Sequence, residues 1–415
     1  MILLEGWNTM EKPQASGHFC FHRVGDGTFY TGELRRNEKR FRFVYDCGRY
    51  PCRKCLSGER EKCDRKLDRS INRFASPAGV PFDLLILSHL HEDHINGIPQ
   101  LLKRSVPSVV VLPYTEPARR LEIALTLEDA ENPDLLALLA DPCRYFLERG
   151  VQQVVYLSEN SPSAGAIEIP EEYEGLISDE MPDSPRAAEI LRLEQPEEGF
   201  SPLIKQSCAG GIPVPGFRWK FVFYSRTPSS RSELSRRYGS MTAGELSEIL
   251  TNPQERAAVL EESGDLFARR AGRQTDTCSL VAYHGPLFDN QQLSLFPGYK
   301  KYGTLLTGDV DLNVCGAELR SYFWMELGHT GLLQLPCHGL ASHWDEGFLE
   351  NFSNPVVCVA STHQDHPERL DGKMRGTIRR AGMLCARADQ NNSFTYHVRA
   401  YLKTANLILD RLELF

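Results

Sequence analysis

Positions 88 to 97 read Ser88-His89-Leu90-His91-Glu92-Asp93-His94-Ile95-Asn96-Gly97, directly after the apolar run Leu84-Leu85-Ile86-Leu87. Nothing else in the chain constrains its fold as strongly. A strand end followed by a tight loop that opens a helix lets His89 and His91 converge on one point while Asp93 and His94 reach a second. Imidazole and carboxylate together suit zinc, manganese or iron. A loop of merely solvated polar residues rarely gathers this chemistry at one strand end, so these four residues are candidate metal ligands.

The chain has 415 residues, 41% of them hydrophobic, which is enough for one large domain with insertions or two smaller domains. No apolar stretch reaches membrane-spanning length, and Met1 to Gly17 lacks the basic flank and apolar run of a secretory signal. A cytoplasmic protein without membrane association is expected. The 12 cysteines are scattered through a long chain, so they are expected to be reduced. A net charge of -8 argues against wholesale coating of nucleic acid. The charge is nevertheless uneven. The segment from Arg35 to Arg73 is predominantly basic, whereas 158–202 is acidic, rich in Pro and Ser, and reads as a flexible insertion.

The pattern along the chain is that of an α/β protein. Gly17 to Val24, Thr28 to Leu34 and Phe41 to Tyr45 alternate as hairpin strands, the last ending on Asp46. Asp83 to Leu87, Val109 to Leu112 and Val154 to Leu157 are short buried strands, interleaved with helices over Ile98 to Lys103, Arg119 to Leu127 and Pro133 to Arg149. Trp219 to Tyr224 resumes the sheet. A helical insertion is expected over 228–273, with Thr242 and Glu245 spaced as a capping box. Five further apolar strands follow, at Ser279 to Tyr283, Thr304 to Thr307, Leu332 to Leu335, Val356 to Ser361 and Ser393 to Val398.

Two of these strands end like the first. Thr304-Leu305-Leu306-Thr307-Gly308-Asp309 delivers a carboxylate after a glycine, and Leu332-Leu333-Gln334-Leu335-Pro336-Cys337-His338-Gly339 delivers a histidine. Taken alone, a Gly-Asp is most often a turn and a lone loop histidine most often a satisfied polar group. Coming after the cluster, both become candidate ligands.

With these residues in view, the sequence resembles the metallo-β-lactamase fold superfamily, whose His-x-His-x-Asp-His signature stands complete at His89, His91, Asp93 and His94. The resemblance implies a single domain over residues 1–415, a four-layer αββα sandwich. It matches Asp46 to the first-motif aspartate, Asp309 to the carboxylate that bridges two metals, and His338 to the late histidine. Thr275 to Val281, Gly308-Asp309, Pro336 to Gly339 and His366-Pro367 resemble the nuclease-type domain of DNA-uptake channel proteins. Members with a full dizinc site carry a further histidine between the cluster and the bridging aspartate. Here none occurs from Ile95 to Tyr283, and His284 is the one poorly placed candidate. Fewer imidazoles shift the expectation from zinc toward manganese or magnesium.

What the resemblance implies for chemistry is two divalent ions, one held by His89, His91 and Asp309, the other by Asp93, His94, His338 and the shared Asp309. Asp46 would orient an imidazole through a hydrogen bond. Asp93 and Asp309 are then the catalytic carboxylates, and a metal-activated water hydrolyses the substrate. The fold itself names no substrate. The basic, cysteine-rich segment 47–73, expected as a loop between the motifs carrying Asp46 and His89, points to a polyanion. Lys54, Arg60, Lys62 and Arg65, with His343 and His363 farther on, are candidate substrate contacts. Cys47, Cys52, Cys55 and Cys63 are a candidate structural zinc site; free or partly buried thiols are the competing reading. The leading expectation is therefore a nuclease or phosphodiesterase acting on a nucleic acid or nucleotide. A small-molecule hydrolase of the thioesterase or lactamase kind is the alternative, and a scaffold that binds a protein partner through its insertions is the third.

Overall fold

Fully apolar runs only make sense as strands if both of their faces are covered, and that requirement organises the molecule. In the computed structural model the described residues are 15–50, 57–129, 131–158, 203–206, 212–214, 217, 219–226, 237–268, 279–286, 303–352, 356–364, 366, 368–401 and 406–414. Among them the first half gives β1 (Ala15–Phe21), β2 (Phe29–Arg36), β3 (Lys39–Cys47), α1 (Ser57–Phe74), β4 (Phe82–Ile86), α2 (Glu92–Ile95), α3 (Ile98–Arg104), β5 (Pro107–Pro113), α4 (Pro117–Leu125), α5 (Pro133–Ala140), α6 (Pro142–Leu147) and β6 (Gln153–Ser158). The second half gives β7 (Leu203–Gln206), β8 (Ile212–Val214), β9 (Trp219–Tyr224), α7 (Ala243–Thr251), α8 (Pro253–Ala268), β10 (Val281–Pro286), β11 (Gly303–Leu306), α9 (Leu312–Tyr322), α10 (Trp324–Leu327), β12 (Thr330–Gln334), β13 (Val357–Ser361), α11 (Gly372–Arg380), β14 (Leu384–Ala388), β15 (Phe394–Tyr401) and β16 (Asn406–Leu414).

The strands form two mixed sheets, ordered β16-β15-β1-β2-β3-β4-β5-β6-β7 and β14-β13-β12-β11-β10-β9-β8. Alternate residues of the apolar strands enter different cores. On β5, Val109 and Val111 face the core between the sheets, while Val110 and Leu112 face the helices outside. On β9, Phe221 and Phe223 point inward, and Val222 and Tyr224 pack under α9 with Leu319 and Phe323. Period-2 alternation with no polar face thus produces four layers, helix, sheet, sheet, helix. This is the αββα sandwich expected from the sequence. The run β3-β4-β5-β6-β7 is parallel, as is β11-β12-β13-β14, so the carboxyl ends of these strands collect at one edge of each sheet.

Two expectations need correcting. The segment 47–73 is not one loop: residues 57–74 are helix α1, which seats Leu67 and Ile71, four residues apart, in the outer core, and its charges had masked that spacing. The helix expected from Pro133 to Arg149 breaks in two, because Asp141 caps a new start by accepting a hydrogen bond from the Arg144 amide at 3.0 Å, with Pro142 in the first turn. Within the helical insertion, α7 and α8 form as expected, and Leu246 and Leu250 of α7 are buried in the same core as α4 and α5. Its capping box is present, the Thr242 hydroxyl accepting from the Glu245 amide while the Glu245 carboxylate accepts from the Thr242 amide. Strands β7, β8, β14 and β16 went unforeseen. The acidic segment 158–202 lies outside the described residues beyond Ser158.

His284 lies on β10 in the aromatic core between the sheets, against Phe19, Phe43, Trp219 and Phe221, where Tyr30 Oη is 2.7 Å from its Nε2. It is no metal ligand. Burial pushes its imidazole down to about 3, and burial does the same to His22, also to about 3. Both are neutral in the fold and take up a proton on unfolding, so stability falls as pH drops from 6.5 toward 3. Urea denaturation at about pH 7 and about pH 5 should show a loss of roughly 2 kcal/mol per histidine. His284→Gln should lessen that pH dependence, and an unaltered dependence in the variant would contradict the assignment.

Candidate metal centre

The cluster grows from the carboxyl ends of β3, β4, β11 and β12. Pairing of Tyr45 with Ile86 sets Asp46 beside the start of the histidine loop. There its carboxylate accepts from the Ser88 amide at 2.6 Å and from the Ser88 hydroxyl at 2.6 Å, and its Oδ2 lies 2.7 Å from His94 Nδ1. Asp46 adopts this position with φ 55, and Cys337 and His338 are also left-handed, at φ 47 and φ 57. Non-glycine residues held there cost roughly 1–3 kcal/mol each, and such residues gather where function demands them. Gly308, at φ 55, lies where a Cβ would meet the Ser279 and Ser88 side chains at 3.0 and 3.1 Å, so it lets the strand end approach the histidine loop.

Each of three imidazoles is anchored through Nδ1 and turns Nε2 to a common centre. His94 Nδ1 donates to Asp46, and His338 Nδ1 sits 3.1 Å from the Ser361 carbonyl oxygen and 3.4 Å from the Gly27 amide nitrogen. His89 Nδ1 lies 2.9 Å from the Ser88 hydroxyl and 3.1 Å from that of Ser279, which also accepts from the Asp309 amide at 2.9 Å. On the inner side, His338 Nε2 is 3.1 Å from Asp93 Oδ2 and 3.7 Å from Asp309 Oδ1. His94 Nε2 is 3.4 Å from Asp309 Oδ1, and His89 Nε2 is 3.8 Å from Asp309 Oδ2. His89 Nε2, His94 Nε2 and Asp309 Oδ1 are buried without a hydrogen-bond partner.

Such orphans are costly unless something else satisfies them. Asp93, His94, Asp309 and His338 present ligand atoms all within 4.8 Å of one another, a set fit for one metal ion. His89 joins from the side of Asp309, and the His91 ring meets His89 edge to face with centroids 4.7 Å apart. The electrostatics agree. Burial alone would raise the carboxyl of Asp309, yet His338, His94 and His89 outweigh it and hold it well below the usual carboxylate range. Burial would lower His94, but Asp309, Asp93 and Asp46 overcome it and push the imidazole well up. The carboxylates are therefore ionised and ready for a cation.

Other sequence candidates fall elsewhere. Cys47 is fully buried, with its sulfur 2.8 Å from where a Cβ on Gly97 would stand, and burial pushes its thiol well up. Cys52, Cys55 and Lys54 lie outside the described residues, as do the side chains of Arg60, Lys62 and Cys63 on α1. Arg65 is exposed on α1. His343 is buried on the turn after His338, 3.0 Å from the Ser342 hydroxyl, and His363 lies on the loop after β13, its amide donating to Asp26. Ser88 and Ser279 were missed, since a lone hydroxyl carries no spacing signal.

No family model matches the chain, and no curated protein matches it. Among solved structures it is similar to the metallo-β-lactamase fold protein YhfI from Bacillus subtilis, with 9% identity, 92% of this chain and 99% of that chain covered, and a TM-score of 0.35. A likeness that faint carries no weight here. What the molecule itself shows is an αββα sandwich with an Asp/His cluster fit for metal at its strand ends.

Asp46→Ala removes the anchor of His94 and strands the Ser88 amide. It should weaken metal binding by roughly 10- to 100-fold in a chelator competition while far-UV dichroism stays native. Unchanged affinity would show that the anchor does not matter.

Proposed function

We propose that the protein is a metal-dependent phosphodiesterase acting on nucleic acid or a nucleotide, of the nuclease type within the metallo-β-lactamase superfamily. The observation that carries the reading is the convergence of three anchored Nε2 atoms and two ionised carboxylates, with His89 Nε2, His94 Nε2 and Asp309 Oδ1 unsatisfied. A divalent ion bound there, zinc, manganese or magnesium, lowers the pKa of a bound water toward neutrality and offsets charge on phosphoryl oxygens. Asp93, His94, His338 and Asp309 would hold one such ion; His89 and His91, sharing Asp309, would hold a second. Asp46, Ser88 and Ser361 keep the imidazoles aimed inward, so the site is formed before substrate arrives.

A polyanionic substrate is favoured by α1. The helix buries Leu67 and Ile71 and leaves Arg65, Arg69 and Arg73 exposed. Leu67 sits 3.2 Å from where a Cβ on Gly97 would lie, just beyond the histidine loop. Lys66 Nζ donates to Asn391 Oδ1 at 3.1 Å, and Gln364 bridges to Asp389 at 2.6 Å. The basic helix thus borders the loop that carries His363. No described helix is long and apolar enough to cross a membrane.

Labelled single- and double-stranded DNA, RNA and cyclic dinucleotides, incubated with manganese, magnesium or zinc, should reveal cleavage that His91→Ala and Asp309→Ala each reduce by at least roughly 100-fold. The double variant Arg65→Ala/Arg69→Ala should raise KM by about 10-fold at low salt and flatten the salt dependence. Absence of turnover on every phosphodiester would instead favour a small-molecule hydrolase.

A further inference from the structure

We propose that the outer face where α11 meets the edge strand β14 binds the phosphate backbone of a polynucleotide, so that the strand cleaved at the metal centre runs on across β14 and onto α11. This rests on the phosphodiesterase reading and narrows its substrate to a chain several phosphates long. From Gly372 to Ala388 the sequence carries five cations, Lys373, Arg375, Arg379, Arg380 and Arg387, and no acid, in a protein whose net charge is -8. The four on α11 are exposed and Arg387 is half-buried.

The fold gathers three of them around one point. Met374 and Ile378 of α11 are buried in the outer core with Cys358 and Ala360 of β13, and Cys385 packs against that core. In the parallel pairing of β13 with β14, Cys358 lies opposite Cys385 and Ala360 opposite Arg387. The side chains of Cys385 and Arg387 therefore stand on the α11 side of the sheet. Arg375 and Arg379 are one helical turn apart on α11. Burial raises the Cys385 thiol, while Arg375, Arg379 and Arg387 all act to lower it, which places their guanidinium groups around the same sulfur.

Stability does not account for this charge. Among the described residues none of the five cations pairs with a carboxylate; Arg375 Nε donates to the Leu370 carbonyl at 2.7 Å, and Arg380 Nη2 to the Thr377 hydroxyl at 2.8 Å. Arg379 and Arg380, in the last turn, favour the helix dipole, but Lys373 and Arg375 near its start oppose it. Like charges at Arg375 and Arg379 repel along the helix. Protection of an exposed strand edge explains Arg387 and nothing on α11.

The surface also reaches the metal centre. Arg387 lies opposite Ala360, the residue before Ser361, whose carbonyl oxygen sits 3.1 Å from His338 Nδ1. The Thr362 amide donates to the Ala388 carbonyl at 3.0 Å, so β14 ends at the edge where the ligand-bearing strands end. In the turn beyond β14, Asn391 accepts from Lys66 of α1 at 3.1 Å. The cations of α1 and those of α11 and β14 thus flank one turn beside the cluster, and phosphates spaced along a strand would meet them in succession. An anionic membrane is the poorer partner, because both apolar anchors of α11, Met374 and Ile378, are buried in the core and the helix has none left to enter an acyl layer.

Anisotropy with a labelled 20-nucleotide phosphorothioate DNA, which resists cleavage, tests this on the full-length, metal-loaded protein. Arg375→Ala/Arg379→Ala/Arg387→Ala should weaken binding about 10-fold at low salt and reduce the slope of log affinity against log salt by about 2, as three lost phosphate contacts require. The triple lysine variant at the same positions should keep most of the affinity. Lys103→Ala/Arg104→Ala/Arg144→Ala, which removes the same charge from other exposed positions, should leave the slope unchanged. Unaltered binding in the α11/β14 variant, an equal loss in that second variant, or wild-type protein that binds phosphatidylglycerol vesicles and not the DNA would each overturn the proposal. The predicted loss in a protein that cleaves no phosphodiester would support the surface and remove the phosphodiesterase reading, whereas cleavage with binding unaltered would keep that reading and remove the surface.

Discussion

Two ionised carboxylates and three imidazole edges share a small space with almost no access to water, and His89 Nε2, His94 Nε2 and Asp309 Oδ1 are left without a hydrogen-bond partner there. Folding concentrates this cost at one place. Asp93 is 3% exposed, His94 0% and Asp309 5%, so solvent offers them little compensation. A cation answers that cost, because Asp93, His94, Asp309 and His338 present ligand atoms within 4.8 Å of one another. The sandwich, the strand order and the strained turns can all be understood as what it takes to assemble that space.

Parallel strands are the means. Because β3, β4, β11 and β12 all end at the same edge of the sandwich, four short chain segments far apart in sequence arrive together. The apolar alternation of those strands fixes their depth, and a slip of one residue would turn every ligand-bearing end to the wrong side. The left-handed backbone at Asp46, Cys337 and His338 completes the aim. Each anchor behind the ligands, from Asp46 to the Ser361 carbonyl, is itself buried, so the orientation of the imidazoles is set by the fold rather than by whatever binds.

The cluster on β4 was legible because metal-binding side chains rarely crowd a strand end, and Asp309 and His338 were legible because each follows a buried strand. Asp46 stood out through the resemblance alone. Asp26 did not, since one aspartate in a Gly-Asp-Gly turn reads as turn chemistry; the residues it holds, Thr362, His366 and Arg369, lie more than 300 residues away. Helix α1 was hidden for another reason: its charged residues outweigh the two apolar anchors, Leu67 and Ile71, that seat it. β14 was hidden by being a short edge strand with Leu384 58% exposed, outside the buried pattern that betrays central strands. His284 shows the opposite failure, a histidine that chemistry suggested as a ligand and packing claimed for the core.

X-ray absorption at the metal edge of the purified protein tests the central claim most directly. The account predicts bound metal with imidazole nitrogen at about 2.0–2.1 Å if the ion is zinc, and with the imidazole signal diminished in His338→Ala. Protein that is folded yet holds no metal, and takes up neither zinc nor manganese when they are supplied, would contradict it.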